Sequence, residues 1–355
     1  MDIIALRERI LDWATMSPAT VPPGDDPAKL TAIMDRLDYY GRTEWRRYLP
    51  AEHPDYDADY LNRLARWIGN LEDSEEDQQL LLEYALHVTF FNHDDLCALY
   101  RSAFNGIIAR WVIQEAGLRL EGKAIKAFSA ELHEQTHRRT WYCPVTDSMD
   151  INEFYHANHI EGIRHRPGFS TLAMLAPQAE PQQSELVKNL RSHMANPSPK
   201  LAAPPLERLV LLEDFVGSGT QALNAVRWAA TALDVPILFV PLVICPLGVT
   251  TLTVLRDGGF PNLTIEPIVA LRQADLLGPQ CGGTTGWDIS AKMEKLARRI
   301  HKQVSGKTSL EKFGFKDTGC SFVTYSNTPN NTLPLVHHHP KEGAWQPLFP
   351  RSSRA

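Results

Sequence analysis

The chain has 355 residues, 43% of them hydrophobic and 22% charged, with a formal net charge of −6. That composition excludes a disordered or fibrous chain, and the acidic balance excludes a protein that grips nucleic acid through its overall charge. The length suits two domains, or one large domain with a helical extension.

Five cysteines, at 97, 143, 245, 281 and 320, are scattered singly, and no two form a C-x-x-C pair. Neither a zinc knuckle nor a thioredoxin motif is indicated, and reduced thiols in a cytosol are expected. The N-terminal MDIIALRERILDW mixes acids and arginines into its apolar pattern, as an amphipathic helix does and a signal peptide does not. No apolar run approaches the roughly 20 residues a membrane helix needs. A cytoplasmic protein with no membrane partner is expected.

Residues 1 to about 130 read as helix. Ile3, Ile4, Leu6, Ile10, Leu11 and Trp13 form one apolar stripe at helical spacing. The proline-rich Ser17–Asp26 breaks it, and further helical stripes cover Leu30–Tyr40, Tyr60–Leu71, Gln78–Phe91 and Asp94–Ala116. Arg139–Val145, aromatic and β-branched, predicts a strand, followed by a turn at Thr146-Asp147-Ser148 and a short helix over Asn152–Ile160. Residues 176–206 are rich in proline, glutamine and alanine. They read as a long loop with a turn or two of helix at Ser184–His193.

From Arg208 the text becomes β–α–β. Leu209–Leu212 and Pro236–Ile244 are continuous apolar runs, as in strands buried on both faces of a parallel sheet. Gln221–Leu233, Gly248–Asp257 and Ser290–Gln303 read as helices, Leu263–Leu271 as a third strand and Cys320–Tyr325 as an edge strand. The alternation predicts an α/β domain with a mostly parallel sheet and right-handed crossovers. The expected division is a helical region over 1–130 and an α/β domain over 131–355.

The chemistry concentrates in Leu209-Val-Leu-Leu-Glu213-Asp214-Phe215-Val216-Gly217-Ser218-Gly219-Thr220-Gln221. A buried parallel strand delivers two acids to its carboxyl edge, where ligands bind in open α/β sheets. A turn of small residues then opens a helix, whose first N–H groups suit a phosphate, with the Ser218 and Thr220 hydroxyls as further donors. Two carboxylates about 6 Å apart repel by roughly 3 kcal/mol at an effective dielectric near 20. The helix dipole contributes only about 0.3–1 kcal/mol, so the acids need donors of their own, and sugar hydroxyls or a bound Mg²⁺ supply them. A ribose 5-phosphate satisfies both halves.

This segment resembles the PRPP-binding signature of type I phosphoribosyltransferases. The resemblance implies that Glu213 and Asp214 bind the ribose hydroxyls, that Gly217, Ser218, Gly219, Thr220 and Gln221 hold the 5-phosphate, and that Mg²⁺ assists. Phe215 and Gln221 depart from the usual pattern, which more often has an aliphatic and a hydroxyl residue there. Together with Trp141–Ser148, Asn327–Pro334 and Trp345–Arg351, the motif resembles a phosphoribosyltransferase-like effector family of bacterial conflict systems. Members stand beside reverse transcriptases in retron-type anti-phage loci. That likeness implies an effector role in defence, a phosphoribosyl nucleotide ligand and a reverse transcriptase or nucleic-acid complex as partner.

Other readings stand beside it. The protein could transfer or cleave at ribose C1, or be a non-catalytic nucleotide sensor or toxin subunit of a complex. Gly217-x-Gly219-x-x-Ala222 matches a loose dinucleotide fingerprint, but Asp234 falls before the next strand instead of at its end. A P-loop is excluded because no Gly-Lys-Ser/Thr follows. Thr146, Asp147 and Ser148 form either a pyrophosphate loop or a plain Asx-turn. Lys188, Arg191 and Lys200 read as solvated charge, with closure over a ligand as the alternative. His133-Glu134-Gln135-Thr136-His137 fits the H-E-x-x-H zinc-hydrolase string, with Glu153, His156 and His159 as candidate third ligands, but lies beside Arg138 and Arg139. His337-His338-His339 reads as a flexible tail. Asn327–Pro334 is a turn-rich loop whose amides can form caps or read a nucleobase.

Overall fold

The structure is a computed structural model and describes residues 1–15, 27–160, 180–197, 203–281, 286–306, 310–340 and 345–352. The proline-rich Ser17–Asp26 and Lys200 lie outside the described residues.

The chain opens with helices α1 (Ile3–Thr15), α2 (Pro27–Arg42), α3 (Tyr60–Gly69) and α4 (Glu75–Ala85). Asp59 and Ser74 begin α3 and α4 as N-caps, their side chains accepting from the amides of Asn62 and Asp77. Each cap satisfies a backbone donor that the first turn leaves without a helical partner. The helical stripe expected to run through Phe91 ends early, at Ala85, and Thr89–Phe91 is strand β1. Helices α5 (His93–Ser102) and α6 (Ala109–Glu115) are joined through a π-helical stretch, Ala103–Ile108, where one continuous helix was expected.

Next come α7 (Ile125–His133), β2 (Thr140–Pro144), α8 (Ile151–Ala157), α9 (Glu180–Ala195), β3 (Arg208–Val216), α10 (Thr220–Ala232), β4 (Ile237–Ile244) and α11 (Pro246–Asp257). The chain closes with two short strands, β5 (Leu263–Ile265) and β6 (Val269–Ala270), then α12 (Ser290–Ser305), β7 (Phe322–Thr324) and α13 (Pro334–His337). Residues 180–195, expected as mostly loop, are a four-turn helix. Leu190 and Met194 are buried from it into the sheet core, and Arg191 donates to the carbonyl of Ala232 at the end of α10. The third strand, expected as one run to Leu271, is split into β5 and β6, both paired with β4.

Internal contacts divide the chain into two units, one of Met1–Asp94 with Arg272–Ala355, the other of Asp95–Leu271. This division follows different lines from the 1–130 and 131–355 domains read from the sequence. In the first unit β1 and β7 pair in parallel, Phe90 opposite Val323, which brings the C-terminal segment back to the first helices. Trp67 donates its indole N–H to the Leu335 carbonyl at 2.7 Å. Buried Arg63 donates to the carbonyls of Leu348, Asp57 and Ala58 at 3.0, 2.8 and 2.9 Å. Trp345, Leu348 and Phe349 are wholly buried. His337, expected in a tail, is 5% exposed at the end of α13.

The second unit is built on a parallel sheet in the order β2-β3-β4-β5, with β6 also on β4. Every residue of β3 and β4 is buried, the pattern of strands covered on both faces. On one face Ala222, Ala225, Val226 and Ala229 of α10 pack with Leu211, Phe239, Leu252 and Leu255. Their spacing puts small side chains along one helical stripe, which lets α10 lie close to the strands. Among the described residues no helix is long and apolar enough to cross a membrane.

Candidate functional site

The β2–β3 register sets Pro144 opposite Leu212, and the Val145 amide continues the ladder to the Leu212 carbonyl at 2.8 Å. Beyond that pair β2 leaves the sheet through Thr146 to Ser148, while Glu213 and Asp214 continue in β3, still paired with β4, beside them. Thr146 donates its amide to Glu213 Oε2 at 2.9 Å, and its hydroxyl lies 2.6 Å from Glu213 Oε1. The Ser148 hydroxyl lies 2.8 Å from Asp214 Oδ1, which also accepts the Phe215 amide at 2.8 Å. The two hydroxyls are themselves 2.8 Å apart.

Glu213 Oε1, Thr146 Oγ1, Ser148 Oγ and Asp214 Oδ1 make a row of three successive oxygen–oxygen contacts, but the two hydroxyls bring only two protons. A proton on Glu213 completes the row: Glu213 donates to Thr146, Thr146 to Ser148, and Ser148 to Asp214. The electrostatics agree. Burial, and then the neighbouring Asp214 charge, push the Glu213 carboxyl well above its usual range, against the lowering effect of the Thr146 amide hydrogen bond. Glu213 is 5% exposed and Asp214 7%.

After Val216 the chain turns through Gly217–Gly219 into α10. Gly219 caps the helix at φ 77°, a left-handed conformation that a side chain disfavours. A Cβ there would also lie 3.0 Å from Thr251 Cβ. The Ser218 and Thr220 hydroxyls are 3.1 Å apart, Ser218 is buried and Gln221 is exposed. This turn presents the amino end of a 13-residue helix, with its unpaired N–H groups, beside the carboxylate pair. Gly248 on α11 completes the cradle: a Cβ on it would stand 2.9 Å from the Gly217 carbonyl. Sequence reading passed over Gly248. Its signal is a glycine in the first turn of the following helix, where close approach to the Gly217–Gly219 turn needs it.

The structure thus brings Glu213, Asp214, Thr146, Ser148 and the Gly217–Thr220 turn to one sheet edge. In this state the Thr146 and Ser148 hydroxyls are committed to the carboxyl row. Lys188 pairs with Glu185 at 2.9 Å and Arg191 with Asp234 at 2.8 Å. The H-E-x-x-H string does not build a zinc site. The α-helix gives way after His133 to a π-helical turn, Glu134 pairs with Arg138 and Arg139, and the rings of His133 and His137 stack with centroids 3.8 Å apart. Among the described residues no third ligand group joins them.

A parallel sheet whose buried strand carries two acids near its carboxyl end, followed by a glycine-capped turn into a helix, defines a phosphoribosyltransferase-like α/β protein. Comparison with family models agrees: residues 64–351 match the PRTase-CE family of phosphoribosyltransferase-like effectors. The chain belongs to that family. The match includes the C-terminal segment that returns to the first helices as well as the sheet. No curated protein and no solved structure gives a significant match.

Proposed function

We propose that the protein binds PRPP or a related phosphoribosyl nucleotide at the carboxyl edge of β3 and acts as an effector in bacterial anti-phage defence. The observation that carries the binding reading is the adjacency of an acid pair to a left-handed glycine that opens a helix. The acids accept ribose hydroxyls, and the amides and hydroxyls of Gly217, Ser218, Gly219, Thr220 and Gln221 hold the 5-phosphate. Remote binding of the phosphate then positions ribose C1. The defence role rests on family membership and the likeness to retron-associated effectors, which also motivates a reverse transcriptase or nucleic-acid complex as partner.

Mg²⁺ suits this donor set. Glu213 and Asp214 offer hard carboxylate oxygens. Held there through the ligand's hydroxyls, the ion would neutralise charge on the diphosphate. Ligand entry takes the place of the hydrogen-bonded row, so Glu213 gives up its proton and accepts from ribose. Thr146 and Ser148, released from the acids, become donors for a pyrophosphate, with Asp147 between them.

Calorimetric titration of the protein with PRPP, with and without Mg²⁺, tests the reading. Saturable binding that Asp214→Asn abolishes is expected. Binding that survives both Asp214→Asn and Gly219→Val overturns it.

A further inference from the structure

The contacts between the loop after β2 and the acid pair have the form of a bound sugar edge. Two hydroxyl oxygens, Thr146 Oγ1 and Ser148 Oγ, stand 2.8 Å apart. Each lies against a different carboxyl, 2.6 Å from Glu213 Oε1 and 2.8 Å from Asp214 Oδ1. Cis hydroxyls on adjacent carbons of a five-membered sugar ring are held at a similar spacing, about that of a short O–H···O bond. The side chains of Thr146 and Ser148 therefore offer the acids what a ribose diol offers: two neighbouring hydroxyls, one for each carboxyl.

The loop does not depend on these hydroxyls for its place. The Val145 amide donates to the Leu212 carbonyl at 2.8 Å, and the Thr146 amide to Glu213 Oε2 at 2.9 Å. At its far end Asp150 accepts from the amides of Asn152 and Glu153 at 3.0 and 3.1 Å and so starts α8. Thr146 and Ser148 are both half-buried, and rotation about one side-chain bond swings each hydroxyl off its carboxyl with the backbone in place. The acids, by contrast, are buried and must have donors.

We propose that Thr146 and Ser148 are an internal competitor for the ribose diol, an autoinhibitory contact that a ligand must displace to reach Glu213 and Asp214. This rests on the phosphoribosyl reading of the site. It also carries a selectivity. A ligand with two adjacent hydroxyls replaces both contacts, whereas a 2-deoxyribose replaces one and leaves the second acid to the loop.

The test is calorimetry of the full chain with ribose 5-phosphate, which has no diphosphate, so a grip of the loop on pyrophosphate does not enter. Ser148→Ala should bind it about tenfold tighter than the wild type does, the equivalent of one hydrogen bond no longer displaced. Thr146→Val combined with Ser148→Ala should gain about tenfold again on ribose 5-phosphate, but not on 2-deoxyribose 5-phosphate. Urea melts of the same samples fix the folded fraction to which each affinity refers. Equal affinity in wild type and variants, with binding that Asp214→Asn abolishes, overturns the competitor and leaves the phosphoribosyl site standing. Weaker binding by the folded variants also overturns it, by making the hydroxyls part of the ligand's grip, as does an equal second gain on both sugars. No ribose 5-phosphate binding by any of the proteins overturns the phosphoribosyl reading and the competitor with it.

Discussion

Replacing Glu213 by glutamine should make the unliganded protein more stable while destroying the proposed site. Glutamine matches glutamate in shape, and its amide suits this position: the oxygen accepts from the Thr146 amide and the NH₂ donates to the Thr146 hydroxyl. The row of hydrogen bonds is then complete without a titrating proton. The wild-type carboxyl is raised well above its ordinary 4.5 by burial and by Asp214. Its folded form therefore binds a proton more tightly than its unfolded form. The stability linked to this group is full below 4.5 and drains away as pH rises toward the folded value. One pKa unit of difference between the folded and unfolded states corresponds to about 1.4 kcal/mol, so the wild type loses this stability progressively as pH rises above 4.5. Glutamine escapes that cost. Its gain should be near zero at pH 4 and grow as pH rises to 7, read as a rise in Tm that widens with pH. Denaturant melts of both proteins at pH 4, 5.5 and 7 measure it, and PRPP binding should be lost in the same variant. A loss of stability at pH 7, or a gain that does not change with pH, would refute the proton count along the row.

Gly219→Val forces a β-branched residue to φ 77° and sets its Cβ against Thr251. A cost of about 2 kcal/mol is expected, read as a fall in the urea midpoint together with lost phosphate binding. Arg63→Ala strips three carbonyls of their donor in the first unit, the Leu348 one in a buried hydrogen bond. It should destabilise the fold by about 3 kcal/mol and make the segment around Leu348 the earliest site of proteolytic cleavage.

The sheet and the site were legible in the sequence for a common reason. Leu209–Leu212 and Pro236–Ile244 are apolar without interruption because both faces are covered, and the acids and glycines that follow are grouped within a few residues. What stayed hidden depends on partners far along the chain. Thr89–Phe91 continues the apolar pattern of α4, and only its pairing with Phe322–Thr324 makes it a strand. Helix α9 lies in a proline- and glutamine-rich text, and its helicity draws on Leu190 and Met194 packing into the sheet core. The His337–His339 run looks like solvated tail, yet His337 is packed inside by the contacts of α13. Thr146, Asp147 and Ser148 read as either a pyrophosphate loop or an Asx-turn, and the grip of Thr146 and Ser148 on Glu213 and Asp214 depends on the β2–β3 register.

The pairing of β1 with β7 has a temporal side. On the ribosome Thr89–Phe91 emerges early and waits for Phe322–Thr324 until the entire Asp95–Leu271 unit has been made. At about 5–20 residues per second that wait is on the order of ten seconds or more. The site-bearing unit is contiguous and can complete its sheet during translation. The opening helices meanwhile stand with an unpaired strand and an uncovered apolar face. A nascent chain of this protein therefore gains its proposed ligand site before the rest of the molecule closes, and its dependence on chaperones should fall on the first ninety or so residues.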